Sequence, residues 1–146
     1  MSDELYQYYQ SPDAYEVYSD FLHFAKRTEY RKDIKWAVIS NMDVRLHTIF
    51  QQLELVQYFD LIMTSEEAKC SKPERGIFEQ TIKKLRLDSI SPNEILHIGD
   101  DYKKDCPPEG WHRILIQRDA SKTYDKFKHI CYSFHEVSKI ISKDNP

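Results

Sequence analysis

Three groups of polar residues stand next to apolar runs, where the strands of an α/β sheet would end or its helices begin. They are Ser40 with Asn41, Lys72, and Asp100 with Asp101. In an open α/β sheet the ligand crevice lies at the carboxyl ends of the strands, so these side chains could meet there. A hydroxyl, an ammonium group and carboxylates suit a phosphate-sized anion and a divalent cation. The sequence therefore predicts a small anion site built from side chains.

The first two groups offer donors to an anion, and each also has a purely structural interpretation. The Ser40 hydroxyl and the Asn41 amide lie just before a predicted helix N-terminus, which favours bound anions. Serine and asparagine are also the residues that most often cap a helix. Lys72 precedes Pro73, so its backbone is biased towards an extended conformation that holds the ammonium group over the crevice. Taken singly, Lys72 is better interpreted as a surface lysine.

The third group is the acidic loop that follows the apolar run 95–98. We expect Gly99 to let the backbone turn and Asp100 to offer the hard oxygen ligands that Mg²⁺ prefers. The alternative is that Asp101 caps a short helix and that Asp105 faces solvent. For Asp100 we favour the metal-binding interpretation.

Histidine and cysteine give weaker signals. His97 stands inside an apolar strand, so we expect a hydrogen-bonded core residue. The three cysteines, Cys70, Cys106 and Cys131, form no Cys-x-x-Cys pair, which argues against a disulfide framework or a zinc site. Free cysteines of this kind favour a reducing compartment.

Length and composition indicate a single domain, 1–146. The 146 residues, 40% of them hydrophobic, are enough for one buried core. A net charge of −3 without long basic runs disfavours nucleic-acid binding. No apolar stretch approaches the about 20 residues of a membrane span, and the acidic N-terminal residues are unlike a secretory or transit peptide. We therefore expect a cytoplasmic protein that binds neither nucleic acid nor membrane.

Apolar runs alternate with helical patterns along most of the chain. Continuous apolar runs predict strands at 36–39, 61–63, 95–98 and 113–116. Helical spacing predicts helices from Ser11 onwards, over 46–53, over 77–85 and around 137–141. Residues 5–9 could be a strand, a helix end or a linker. The alternation predicts an α/β fold with a Rossmann-like, doubly wound parallel sheet. With three glycines in the chain, a Gly-rich phosphate loop is excluded.

One component of phosphoryl-transfer chemistry is missing from the sequence. A side-chain site of this type needs a nucleophilic carboxylate, usually in an Asp-x-Asp pair after another strand. No Asp-x-Asp occurs in the 146 residues. The predicted site is therefore incomplete.

The order of the three groups is more specific than any one residue. A strand followed by Ser-Asn, then Lys-Pro, then a strand followed by Gly-Asp-Asp-x-x-x-Asp resembles motifs two, three and four of the haloacid dehalogenase-like hydrolase superfamily. The resemblance implies that Ser40 hydrogen-bonds the transferring phosphoryl oxygens and that Lys72 neutralises the nucleophile and the phosphate. It also implies that Asp100 binds Mg²⁺, with Asp105 and, as a lesser candidate, Asp101 supporting the acidic loop.

The same resemblance implies a parent activity and shows that the nucleophile for it is missing from this sequence. The parent activity would be Mg²⁺-dependent hydrolysis of a small phosphorylated metabolite through a phospho-aspartyl intermediate. Because the nucleophile is missing, we expect the chain to be inactive as written. The alternative is a non-catalytic fragment or interaction module that retains a weak phosphate and Mg²⁺ site.

Two regions depart from the family's pattern. The resemblance implies that the chain lacks the family's first, central strand and most of its cap domain. Residues 1–18 resemble a remnant of the segment that returns from the cap domain to the core. Residues 106–110 contain two prolines, so the helix that the family usually has there is not expected.

Loss of the central strand should leave the runs 36–39 and 95–98 facing a gap. We expect these two strands to pair directly, with insertion of residues 5–9 or association with another copy as the alternatives. Unpaired strand edges are aggregation templates. The chain is therefore expected to be marginally soluble and to self-associate through these edges if they remain open.

Overall fold

The computed structural model describes residues 3–9, 11–28, 32–122, 124 and 129–143. Within them the strands are β1 Ala37–Ser40, β2 Leu61–Thr64, β3 Leu96–Gly99, β4 His112–Ile116 and β5 Ile130–Cys131. The α-helices are α1 Asp3–Tyr8, α2 Ser19–Thr28, α3 Arg45–Gln52, α4 Ser65–Ala68, α5 Arg75–Lys84 and α6 Phe134–Lys143. No helix in this part of the chain has the length and apolar character needed to cross a membrane.

Every strand pairing is parallel, and helices alternate with the strands along the chain. β1 pairs with β2, with Ala37 opposite Leu61, and β3 pairs with β4, with Leu96 opposite His112. β4 also pairs with β5. The α/β class with parallel strands, predicted from the alternation of apolar runs, is confirmed. β5 was not predicted, because two residues are too few to show a period.

The sheet is split into two parts, which contradicts the expected direct pairing of β1 with β3. Among the described residues, β1 pairs with β2 alone, and β3, β4 and β5 form a separate sheet. The Phe78 ring of α5 lies 5.3 Å from the His97 ring of β3 and packs in the same cluster as Ile39 of β1. Helix α5 thus contacts both parts, and moving β1 against β3 would disrupt these contacts.

Two apolar clusters cover the opposite faces of the split sheet. The first consists of Phe24, Ile114, Ile116, Cys131 and Val137, with Trp36, Leu96 and Ile98 among the residues packed against it. The second consists of Met63, Ala68, Ile77 and Phe78, with Ile39, Leu61, Cys70 and Trp111 packed against it. The alternation of side chains along a strand explains the division, because neighbouring residues of β1 and β3 point to opposite faces.

The N-terminal region differs from the prediction. A 3₁₀ turn, Pro12–Ala14, stands where the helix was expected to begin at Ser11, and α2 begins at Ser19. Asp20 accepts a hydrogen bond from the backbone N–H of Phe134 and two from Arg118, so contacts with the far end of the chain fix this helix start. Residues 5–9 lie mostly in α1, which has no buried residue, so they do not fill the gap.

Candidate functional site

The predicted polar groups lie together at the carboxyl ends of β1 and β3. Ser40 is the last residue of β1, and Asn41 follows it. The Asn41 Oδ1 atom accepts a hydrogen bond from the Lys72 backbone N–H at 2.7 Å, and its Nδ2 donates to the Lys72 carbonyl at 3.0 Å. The Asn41 carboxamide therefore holds the backbone of Lys72. Because the carboxamide is engaged in these two bonds, the predicted contact of Asn41 with an anion falls to its backbone N–H.

The Lys72 ammonium group is fixed by an ion pair with Asp105. The Nζ atom of Lys72 lies 2.5 Å from Oδ1 of Asp105, and the two side chains are 13% and 4% exposed. The same Oδ1 atom lies 3.0 Å from Nε2 of His97. Its partner Oδ2 accepts hydrogen bonds from the backbone N–H groups of Asp100 and Asp101 at 3.0 and 2.9 Å. Asp105 thus ties the acidic loop to Lys72, and the alternative that it faces solvent is wrong.

These contacts determine the ionisation of Asp105. Burial by itself would raise the pKa of the carboxyl group, because a low-dielectric environment disfavours the charged form. The hydrogen bonds from His97, Lys72 and Asp101 and the positive charge of Lys72 outweigh burial and hold the pKa well below its usual range. Asp105 is therefore a carboxylate at neutral pH and forms a true ion pair with the lysine.

Gly99 is needed for the approach of Asp105 to the strand. A Cβ atom at residue 99 would overlap the carboxyl carbon and Oδ2 of Asp105. Gly99 is a residue of β3 and has no positive φ, so the expectation that it lets the backbone turn is wrong. The glycine instead leaves room for the buried carboxylate.

The other two acids of the loop have different surroundings. Asp101 Oδ1 accepts hydrogen bonds from the backbone N–H groups of Lys104 and Lys103, each at 2.9 Å, and these bonds lower the pKa of Asp101. Its carboxylate closes the turn, which is close to the capping role considered as the alternative. Asp100 is exposed at the end of β3. Throughout 100–111, which is described without a break, no helix forms, as the two prolines predicted.

The residues present do not make a complete Mg²⁺ site. Within the described parts of the chain, no three or more His, Cys, Asp or Glu side chains group closely enough to hold a metal ion. The carboxylates of Asp105 and Asp101 are engaged by the contacts above, which leaves the Asp100 carboxylate in this loop. Mg²⁺ is usually held by one or two carboxylates together with substrate phosphates and waters. The donor set of this chain therefore does not support the predicted metal by itself.

A cavity of about 370 Å³ opens next to the lysine loop. It is lined by Asn41, Met42, Asp43, Ser65, Glu66, Cys70 and Ser71. Both of its carboxylates have partners, because Asp43 binds Arg45 and Glu66 accepts from the backbone N–H of Val44. The cavity lies beside the sequence neighbours of Ser40 and Lys72, which are not themselves among its lining residues.

Sequence reasoning missed two positioning contacts in this site. One is the pair of hydrogen bonds between the Asn41 carboxamide and the Lys72 backbone, for which the sequence has no signal, since the two residues are 31 positions apart. The other is the contact of His97 with Asp105. The period of two in a strand places His97 and Gly99 on one face, and this could have pointed to a shared partner.

The chain has a parallel, Rossmann-like α/β fold with a lysine, a hydroxyl and an acidic loop at the ends of its strands, and comparison with known proteins gives its family. A family model described as "haloacid dehalogenase-like hydrolase" matches residues 1–108. The chain therefore belongs to the haloacid dehalogenase-like hydrolase family. As a fold match, it superposes on the crystal structure of a HAD phosphatase from Thermococcus onnurineus with a TM-score of 0.79 and 23% identity, covering 94% of this chain and 63% of that one.

Similar proteins in animals have longer chains. The chain is 42% identical over 86 residues to haloacid dehalogenase-like hydrolase domain-containing protein 3 of Xenopus laevis, covering 57% of this chain and 34% of the relative. It is 32% identical over 143 residues to the Danio rerio protein of the same name, covering 94% of this chain and 57% of the relative. It is also 39% identical over 89 residues to the rhythmically expressed gene 2 protein of Drosophila melanogaster, covering 59% and 34%. The chain thus spans from about a third to somewhat over half of the length of these relatives.

Proposed function

We propose that this chain is the phosphate-binding part of a phosphate-ester hydrolase that acts on a small phosphorylated metabolite. The observation that carries the proposal is the fixed position of Lys72 beside the end of β1, since Asn41 holds its backbone and Asp105 holds its ammonium group. An ammonium group and a hydroxyl, here that of Ser40, attract a phosphate without help from a nucleophile. Membership of the family and the phosphatase named among its structural neighbours support the reaction class.

Each residue has a definite part in this proposal. Ser40 donates a hydrogen bond to a phosphoryl oxygen, and Lys72 compensates the negative charge of the phosphate. Because Asp105 already neutralises most of that lysine's charge, phosphate binding by the chain alone is weak. The superfamily generally uses Mg²⁺, which supplies further positive charge to the phosphate when bound. We place Asp100 as the residue of this chain that would contribute to holding it.

The chain alone should not hydrolyse phosphate esters. Nucleophilic catalysis needs a carboxylate to accept the phosphoryl group, and the Asp-x-Asp pair that supplies it is missing from the 146 residues. The measurement is phosphate release from p-nitrophenyl phosphate with Mg²⁺, for the wild type and for Asp100→Ala. We expect both to match the buffer blank. Hydrolysis that survives repurification and disappears in Asp100→Ala would contradict the proposed inactivity.

Phosphate should nevertheless bind at Ser40 and Lys72. In a heteronuclear NMR titration with inorganic phosphate, we expect shifts around Ser40, Asn41 and Lys72. Lys72→Ala should weaken binding about tenfold, which corresponds to about 1.4 kcal/mol. Ser40→Ala keeps the Lys72–Asp105 pair and should weaken binding less.

Lys84→Ala is the matched control for this titration, because it removes the same charge from the exposed end of α5. Its titration should follow that of the wild type. Equal phosphate shifts in wild type and Lys72→Ala would mean that the site is not formed.

A second function, that of a non-catalytic interaction module, is favoured by a separate observation. The split between β1 and β3 leaves two strand edges that pair with nothing else in the described chain. Open edges of this kind bind extended polypeptide.

A further inference from the structure

Two exposed histidines lie side by side where helices α2 and α6 pack together. The ring centres of His23 on α2 and His135 on α6 are 6.3 Å apart, and the rings are tilted by 49° to each other. Both residues are exposed. The contact between the two helices therefore presents two imidazole groups to the same region of solvent.

Packing of the two helices fixes the positions of these histidines. Phe24, next to His23, is buried, and its ring centre lies 5.1 Å from that of Phe134, next to His135. The carboxylate of Asp20 also accepts a hydrogen bond from the Phe134 backbone N–H. Contacts beneath the surface thus hold both histidine backbones in place, which reduces the ordering cost of binding a ligand between them.

The ring of His23 is already oriented for metal binding. Its Nδ1 atom lies 2.8 Å from the backbone carbonyl oxygen of Ser19. A carbonyl oxygen only accepts hydrogen bonds, so Nδ1 carries the proton and Nε2 of the neutral ring keeps its lone pair. Histidines that bind metal ions almost always donate their other N–H to a carbonyl, a carboxylate or water in this way. His23 therefore offers Nε2 as a ligand atom.

The separation of the two rings suits one shared ion. Bonds of about 2.0–2.1 Å from Zn²⁺ to nitrogen, at a tetrahedral angle, place two imidazole centres about 5 Å apart. The observed separation is about 1 Å larger than this. Rotations about χ1 well under the about 30° that leave a rotamer well close the difference.

The ligand atoms also select the kind of ion. The carboxylates nearest to the pair in sequence are engaged, since Asp20 binds Arg118 and Glu136 accepts from the backbone N–H of Tyr132. The described residues place no third His, Cys, Asp or Glu with the pair, so water completes the coordination. Imidazole nitrogen suits Zn²⁺, Cu²⁺ and Ni²⁺, whereas Mg²⁺ prefers oxygen ligands.

We propose that His23 and His135 together bind a divalent transition-metal ion of the Zn²⁺ kind and so join α2 to α6. The site shares no residue with the proposed phosphate site, and it takes a different class of metal ion from Mg²⁺. Because its two ligands come from helices far apart in the sequence, the site exists only in the folded chain.

A Zn²⁺ titration of the full chain, followed by NMR of the imidazole nitrogens, tests the proposal. We expect the signals of His23 and His135 to shift together with a single dissociation constant. His112, an exposed histidine at the start of β4, is the internal control and should respond only at concentrations at least about tenfold higher. Mg²⁺ at the same concentrations should shift neither member of the pair.

His23→Ala should weaken Zn²⁺ binding at His135 at least about tenfold, and His135→Ala should do the same at His23, because one imidazole alone loses the advantage of two linked ligands. His112→Ala is the matched variant and should leave both signals as in the wild type. Three results would overturn the proposal: no response of the pair to Zn²⁺, an unchanged response of His135 in His23→Ala, or an equal response of the pair to Mg²⁺.

Discussion

Replacing Asp105 by asparagine should lower the free energy of unfolding by about 3–5 kcal/mol, the usual cost of breaking a buried ion pair from one side. The variant leaves the largely buried Lys72 ammonium group without its counter-charge. An asparagine also cannot replace both carboxylate oxygens, because its NH₂ group is a donor. In one orientation this group would face Lys72 and His97, and in the other it would face the backbone N–H groups of the loop, which are all donors too. Urea unfolding followed by circular dichroism measures the loss.

Asp101→Asn is the control for this variant, since it lies in the same loop with a more exposed carboxylate, and an asparagine there can still accept from the backbone. Its effect should be much smaller. Equal losses in the two variants would contradict the central place of the Lys72–Asp105 pair.

Acidification should bring the stability of the wild type closer to that of Asp105→Asn. The folded-state pKa of Asp105 lies below its unfolded value of about 3.9. Its stabilisation is therefore fully present above about pH 4 to 5 and is lost as the pH falls through the unfolded pKa towards the folded one. The wild type should lose stability over this range, and Asp105→Asn should lose less. Parallel pH profiles would show that Asp105 does not carry this dependence.

Replacing Gly99 by alanine should lower the free energy of unfolding by about 3 kcal/mol, at the upper end of what overpacking costs. The added Cβ would overlap the Asp105 carboxyl group, so the carboxylate must leave its position and release Lys72. The same unfolding experiment measures the effect. Phosphate-induced NMR shifts at Lys72 should also weaken, because the ammonium group loses its fixed position.

Gly76→Ala is the matched substitution. A Cβ at residue 76 would lie 3.2 Å from the Sγ atom at the end of the Cys70 side chain. Residue 76 lies in helix α5, where alanine is favoured over glycine by up to about 1 kcal/mol. We expect a change close to zero. A Gly99→Ala variant as stable as Gly76→Ala would show that Asp105 can occupy another position at little cost.

The sequence by itself predicted the local elements and the identity of most site residues. The apolar, β-branched runs before Ser40 and Gly99 are strands, because such runs are buried on both faces of a parallel sheet. The carboxyl ends of parallel strands meet at one edge, so Ser40, Lys72 and the acidic loop could be placed together without coordinates. The missing Asp-x-Asp could likewise be read from the residues alone.

Tertiary structure alone decided how these parts are held. The start of α2 at Ser19 depends on Asp20 binding Arg118 and Phe134, which lie 98 and 114 residues away, and no local pattern contains such contacts. The gap between β1 and β3 stays open because apolar groups on both faces contact both parts of the sheet. They are Phe78 on one face and, on the other, the cluster against which Trp36 and Leu96 pack. Strand propensity predicts only that an unpaired edge favours hydrogen bonding to another strand. Packing against shared helices determines whether two edges can approach each other.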